Sequence, residues 1–191
     1  MRWGGLAAMA AGVLTCLTLL LTELVADGFF YLLGLIMALL VVALPTLYIR
    51  QAGRTGWLGL AGLIMSTTSA LVLAVLLTAE TVARAAFGFD PEEYGTVFWI
   101  LAGGLLSFVA GAALFGLDTA RAGVLPRWGA ALFATGLPAV FVLDIFAGAS
   151  FGGGATPPGR FIGTPLFAAG LIRLGYALWK DTSDGGPSRA N

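Results

Sequence analysis

Two runs without a charged side chain, residues 29–49 and 55–79, flank a short basic turn, Arg50-Gln51-Ala52-Gly53-Arg54. The runs are 21 and 25 residues long. At ~1.5 Å rise per residue they extend ~31 and ~37 Å as helices, enough to cross a hydrocarbon core of ~30 Å. A water-soluble helix of that length would carry a polar stripe, and neither run has one. In lipid the backbone must satisfy its own polar groups, so helices are expected and open strands are not. The turn holds two arginines and no acid, which places it on the cytoplasmic side by the bias of Lys and Arg toward that face.

The rest of the chain repeats the pattern. Six spans are expected, at about residues 3–25, 29–49, 55–79, 95–117, 128–146 and 161–179. They form one all-α polytopic bundle, residues 1–180, followed by a disordered polar tail, residues 181–191. Of the 191 residues 59% are hydrophobic and 10% charged, against about 25% charged in ordinary soluble domains. Ten basic and ten acidic side chains cancel, leaving no overall field to attract nucleic acid. A cleaved secretory signal is the rival reading of the first span, but the apolar stretch is longer than the usual ~7–15 residues.

With six spans both termini fall on one side. Arg2, Arg50, Arg54, Arg121, Arg127, Lys180 and Arg189 then lie inside, Arg173 near them, and Arg84 and Arg160 outside. Five spans, or the reverse orientation, spoil this asymmetry. Asp90-Pro91-Glu92-Glu93 reads as a helix start, with carboxylates facing the positive helix end. Pro126 stands where the fifth helix would begin, and a kink is expected at Pro138. Tyr94 and Trp99 suit an outer interface belt.

Small residues four apart mark two packing seams, Gly4, Ala8 and Gly12 on the first helix and Gly103, Ser107 and Gly111 on the fourth. Ionisable residues at membrane depth are functional suspects. Glu23 and Asp144 sit ~30 and ~27 Å from the inner end of their helices, near the outer boundary. Their depth is that of Glu80, Arg84 and Arg160, and the five could ring a polar outer vestibule for a ligand or ion. The structural alternative is that each carboxylate reaches the outer headgroups. Arg173 is expected to snorkel to the inner interface. Thr15, Thr18 and Thr22, and Thr67-Thr68-Ser69, are explained by hydrogen bonds within or between helices.

The absence of histidine removes the commonest general base and zinc ligand. Cys16 is the only cysteine, so no intrachain disulfide or thiolate cluster forms. No cofactor, metal site or catalytic residue is expected. The segment Leu47-Tyr48, basic turn, Trp57-Leu58-Gly59 is echoed by Leu114-Phe115, second turn, Trp128-Gly129-Ala130. That is either a duplicated hairpin or two helix pairs obeying the same interface rules.

The runs Leu47-Tyr48-Ile49-Arg50-Gln51-Ala52-Gly53 and Arg121-Ala122-Gly123-Val124-Leu125-Pro126-Arg127-Trp128 resemble those of a loose set of small, uncharacterised bacterial multi-pass membrane proteins. The likeness covers residues 30–135 and implies a bacterial inner-membrane location; it carries over no catalytic residue. The leading expectation is a non-catalytic accessory or assembly component. Its partners are the lipid bilayer and either a second copy or another membrane protein, not nucleic acid. The alternative is a small transporter or permeation protein using the vestibule around Glu23 and Asp144. A lipid-directed enzyme ranks last.

Overall fold

A computed structural model describes residues 2–21, 28–87, 95–151 and 158–183. Every described element is helical: α1 (Arg2–Leu21), α2 (Gly28–Gln51), α3 (Trp57–Phe87), α4 (Gly95–Ala122), α5 (Arg127–Phe151) and α6 (Pro158–Ser183). Each helix packs antiparallel on the next in sequence, and α6 returns to α1, so the six close into a ring; α2 also touches α6 across it. The start of α1 and the end of α6 therefore lie at one end of the bundle, where Gly5 of α1 packs on the Gly175–Trp179 backbone of α6. Arg50, at the end of α2, pairs there with Asp181 of α6 at 2.9 Å. The pair is exposed on both sides and contributes little to stability.

Five helices, α1 to α4 and α6, are long and apolar enough to cross a membrane. The chain is a multi-pass membrane protein. The remaining helix, α5, has 25 residues against 20 in α1 and stands between α4 and α6.

Helices outrun the expected spans: α4 ends at Ala122 rather than 117 and α5 at Phe151 rather than 146, and α3 and α6 also differ. Helix α3 runs to Phe87 rather than stopping at residue 79, because Glu80 and Arg84 interrupt the uncharged run without interrupting helix-forming sequence. Its 31 residues span ~46 Å and carry it beyond a hydrocarbon core. Helix α6 begins at Pro158, with proline at its first position, and Pro165 lies inside it. It continues through Asp181 to Ser183, so the first residues assigned to a disordered tail are helical. The expected helix start at Asp90-Pro91-Glu92-Glu93 and residues 184–191 lie outside the described residues.

The two basic-end turns are built differently. After α2 the carbonyl of Gln51 accepts the N–H groups of Arg54 and Thr55 at 2.8 and 3.1 Å. After α4 the chain reverses through Gly123 at φ +66°, the left-handed closure that glycine adopts without strain. Pro126 then offers its carbonyl to Ala130 N–H as α5 starts. Trp57 and Trp128 nonetheless take equivalent places at the starts of α3 and α5, each 76% exposed.

On the α1 seam Ala8 is fully buried, and the two glycines each meet a neighbouring helix. Gly4 faces Thr46 of α2, while Gly12 lies against Ala168 and Ile172 of α6. Residues eight apart on a helix differ by roughly 80° in direction, so one seam serves two neighbours. The same drift corrects the seam on α4. Gly111 meets Gly62, Met65 and Ser66 of α3, but Gly103 is exposed with open space before it, and the adjoining Gly104 is the residue that meets Leu73. Ser107, between them, is half-buried.

The ring is filled along its axis. Leu40, Leu44 and Leu47 of α2 and Leu171, Leu174 and Leu178 of α6 are fully buried. Beside them, Phe133 of α5 stacks on Phe167 of α6 at 5.1 Å between ring centroids. Phe115 and Phe108 of α4 meet these two edge-on at 6.3 and 6.4 Å. Thr15 and Thr18 bond back onto their own helix as expected, to the Ala11 and Leu14 carbonyls, and Ser66, not singled out in the sequence, does the same to Gly62. Thr67 differs, with a buried Oγ1 that has no hydrogen-bond partner.

Candidate functional site

The five residues of the expected vestibule are distributed as follows. Glu23 lies outside the described residues, and the side chain of Arg84 is likewise not described. Glu80 on α3 and Asp144 on α5 are half-buried at the same end of the bundle, separated in the ring by α4; Arg160 on α6 is exposed. Asp144 already has a structural role. Its Oδ1 accepts the backbone N–H of Gly159 at 2.8 Å, so a carboxylate from α5 caps the start of α6. Helix starts leave N–H groups unpaired and carry partial positive charge, and an acid there answers both. Replacing Asp144 with alanine is expected to lower stability by about 1 kcal/mol, and with asparagine by less. Thermal unfolding in detergent measures both.

The more heavily buried polar group is at the opposite, basic end, where α2, α3 and α4 meet. Asp118, near the end of α4, is 8% exposed and accepts the Gly56 N–H at 3.1 Å through Oδ2. This is a second interhelical cap, with Gly56 standing just before Trp57 at the start of α3. A Cβ at residue 59 would collide with Asp118 Oδ2, so only glycine lets the carboxylate lie against the first turn of α3. The next residue, Thr119, faces α2. Its Oγ1 accepts from Gln51 Nε2 at 2.8 Å and donates to the Phe115 carbonyl at 2.7 Å. Gln51 is 1% exposed, and its Oε1 is buried without a donor.

Around this junction the exposed side chains are basic. Arg54, Arg121 and Arg127 are all exposed. Trp3, Trp57, Trp128 and Trp179 stand exposed at the same end of the bundle, and Trp99 at the other. Tryptophans at this level form an interface belt, with charged side chains reaching past them to the headgroups.

Family models, curated proteins and solved structures were compared with this chain. None matches. The functional reading therefore rests on geometry.

In the sequence Asp118 stands just ahead of the second basic turn, and the junction was missed. A cue was present. An aspartate near the C-terminal end of a helix faces the negative end of the dipole, an unfavourable place unless something outside the helix compensates. The compensating group, the start of α3, lies 62 residues away in sequence and is brought there by the fold.

A cavity of about 740 Å³ also lies between α2 and α3, lined by Ala38, Val41, Leu71, Ala74, Val75 and Thr78 among others. It opens sideways, its rim residues Leu71 and Val75 being exposed. Thr78 spends its hydroxyl proton on the Ala74 carbonyl at 2.7 Å. The cavity thus presents hydrocarbon and no reacting group. Among the described residues no group of three or more Cys, Asp or Glu side chains converges on one point.

Proposed function

We propose that this chain is a non-catalytic accessory or assembly subunit of the bacterial inner membrane, with six spans and both termini cytoplasmic. The observation that carries this reading is the filled axis. Phe108, Phe115, Phe133 and Phe167 occupy the space between α4, α5 and α6, and the leucines of α2 and α6 complete the core. A permeation pathway needs polar groups and interrupted helices near the midplane. Here the described polar groups near the midplane are hydroxyls of α3, Ser66 bonded back to Gly62 and Thr67 buried without a partner, while Asp118 and Asp144 lie toward opposite ends, each occupied with a helix start.

The orientation rests on charge. Arg2, Arg50, Arg54, Arg121, Arg127 and Lys180 gather at the end where α1 starts and α6 finishes, and Arg160 stands at the other. On the Lys and Arg bias that end is cytoplasmic, and α5 is the sixth span because it keeps this alternation. The resemblance of the two inside turns to those of small bacterial multi-pass proteins agrees with the location.

Two measurements test the reading. Crosslinking in intact membranes, followed by purification, is expected to yield a complex of fixed stoichiometry with a second membrane subunit. Proteoliposomes of the pure protein are expected to move no inorganic ion or small organic solute above the protein-free rate. Flux abolished by Asp144→Asn or Glu80→Gln would replace this reading with the transporter. Tags at the two ends should both be reached only from the cytoplasmic side.

A further inference from the structure

The cavity between α2 and α3 is concave because alanines line it between larger side chains. Ala38 of α2 and Ala74 and Ala79 of α3 alternate there with Val41, Leu71 and Val75. The two helices are in contact beside it: a Cβ on Gly34 of α2 would stand 3.1 Å from Thr78 Oγ1 and 3.7 Å from the Leu77 Cβ. The result is a groove walled by both helices and open on the lipid side.

Its place and shape are specific. From Leu71 to Ala83 the lining follows α3 for ~18 Å, beginning ~21 Å beyond Trp57. Trp57 marks the interface at the basic end. The groove therefore lies in the half of the ~30 Å hydrocarbon core away from that end and continues to the level of the headgroups. An acyl chain of that leaflet takes the same course. The Thr78 hydroxyl donates to the Ala74 carbonyl, so nothing in the groove calls for a polar ligand.

The dimensions separate the occupants. A volume of about 740 Å³ over that length gives a mean cross-section of roughly 40 Å². A helix, at least ~10 Å across, needs roughly 80 Å² and would ride on the rim. Hydrocarbon chains lying along the groove enter it. Nine residues line the groove, against the ~20–30 a side that a stable protein interface uses. Lipid gains no hydrophobic free energy by leaving the bulk bilayer. It gains dispersion contacts on more than one side, which a convex helix surface does not offer.

We propose that this groove holds the acyl chains of one phospholipid from the leaflet away from the basic end, exchanging more slowly than the lipids around the rest of the bundle. This goes beyond the accessory reading and leaves the partner subunit to other faces. An empty groove would leave the crosslinked complex intact, so the two readings fail separately.

Native mass spectrometry of the full-length protein, extracted in mild detergent, is expected to show one retained phospholipid per chain. Ala38→Phe combined with Ala79→Phe should remove it. Both alanines are exposed, so the added rings fill the groove without entering the core. Ala110→Phe, at an exposed position on α4, should keep the lipid. A phospholipid with a photoreactive group midway along one chain, reconstituted with the unaltered protein, decides the matter if the double variant does not fold. Its label should concentrate on residues 38–41 and 71–83. Label spread evenly over the exposed faces of the six helices would overturn the site, as would lipid retained in the folded double variant. A groove without label, in a dimer or complex that Ala38→Phe dissociates, would give it to a protein partner instead.

Discussion

Leucine in place of Gly136 is expected to leave no monodisperse protein after extraction in mild detergent, while leucine in place of Gly103 leaves yield and unfolding temperature unchanged. The two glycines look alike in the sequence, each inside an apolar span. Their surroundings differ completely. A Cβ at residue 136 would stand 2.7 Å from both Cα and Cβ of Phe167, on the backbone of α6. The contact is reciprocal, since a Cβ at Gly163 of α6 would lie 2.5 Å from the Gly136 carbonyl oxygen. Backbone cannot rotate aside as a side chain can, so relief requires α5 and α6 to separate. Overpacking costs about 1–3 kcal/mol where neighbours can yield. Here the cost is higher, because separation forfeits the dispersion contacts of the whole pair. Within lipid no hydrophobic force restores them, since acyl chains are as apolar as leucine. Gly103 faces open space and meets nothing. Size-exclusion chromatography and thermal unfolding of the two variants make the comparison. Wild-type behaviour of Gly136→Leu would contradict the described α5–α6 contact.

That pair of glycines also marks what the sequence made legible. Hydropathy located all six helices, because long apolar runs with few charges have few alternatives in lipid. It placed their ends less well, since charge marks where lipid stops and not where helix stops. Glu80 and Arg84 on α3 and Asp181 on α6 are all helical for that reason. Spacing identified small residues but could not say which of them would meet a neighbour. Gly103 and Gly104 are adjacent, yet one is exposed and the other packs on Leu73. The polar groups were the least legible. Asp144 was found by depth, but its use as a cap for α6 depends on a helix start 15 residues further on. Asp118 and Gln51 were hidden because each looks like part of a solvated turn until α2, α3 and α4 are brought together. Their burial is a tertiary fact, and the one local cue, an aspartate near the C-terminal end of a helix, does not say what it meets.

The aromatic ladder on the bundle axis gives the second large effect. Phe133→Ala is expected to destabilise the protein by about 3–5 kcal/mol, the range for deleting a buried phenylalanine ring. Phe133 is fully buried and is the centre of the ladder, stacked on Phe167 and met edge-on by Phe115. Phe108 makes one such contact, with Phe167, so Phe108→Ala is expected to cost less within the same range. The loss does not come from exposing or hiding apolar surface, because lipid and protein interior are alike in that respect. It comes from the void, whose walls lose their partners on one side and cannot collapse while glycine contacts hold α5 against α6 on either side of it. Neighbouring positions supply those contacts: Gly136 lies against Phe167, and Gly170 lies against the backbone of Phe133. The ring and the glycines therefore act as one unit, and Phe133→Ala combined with Gly170→Ala should depart from additivity. Equilibrium unfolding in mixed micelles gives the free energies. The same variant in proteoliposomes separates a filled core from a blocked pore, since a core that has lost a ring is weaker but still does not conduct. Solute flux through Phe133→Ala would mean that the ring occludes a pathway, and the transporter reading would then take over.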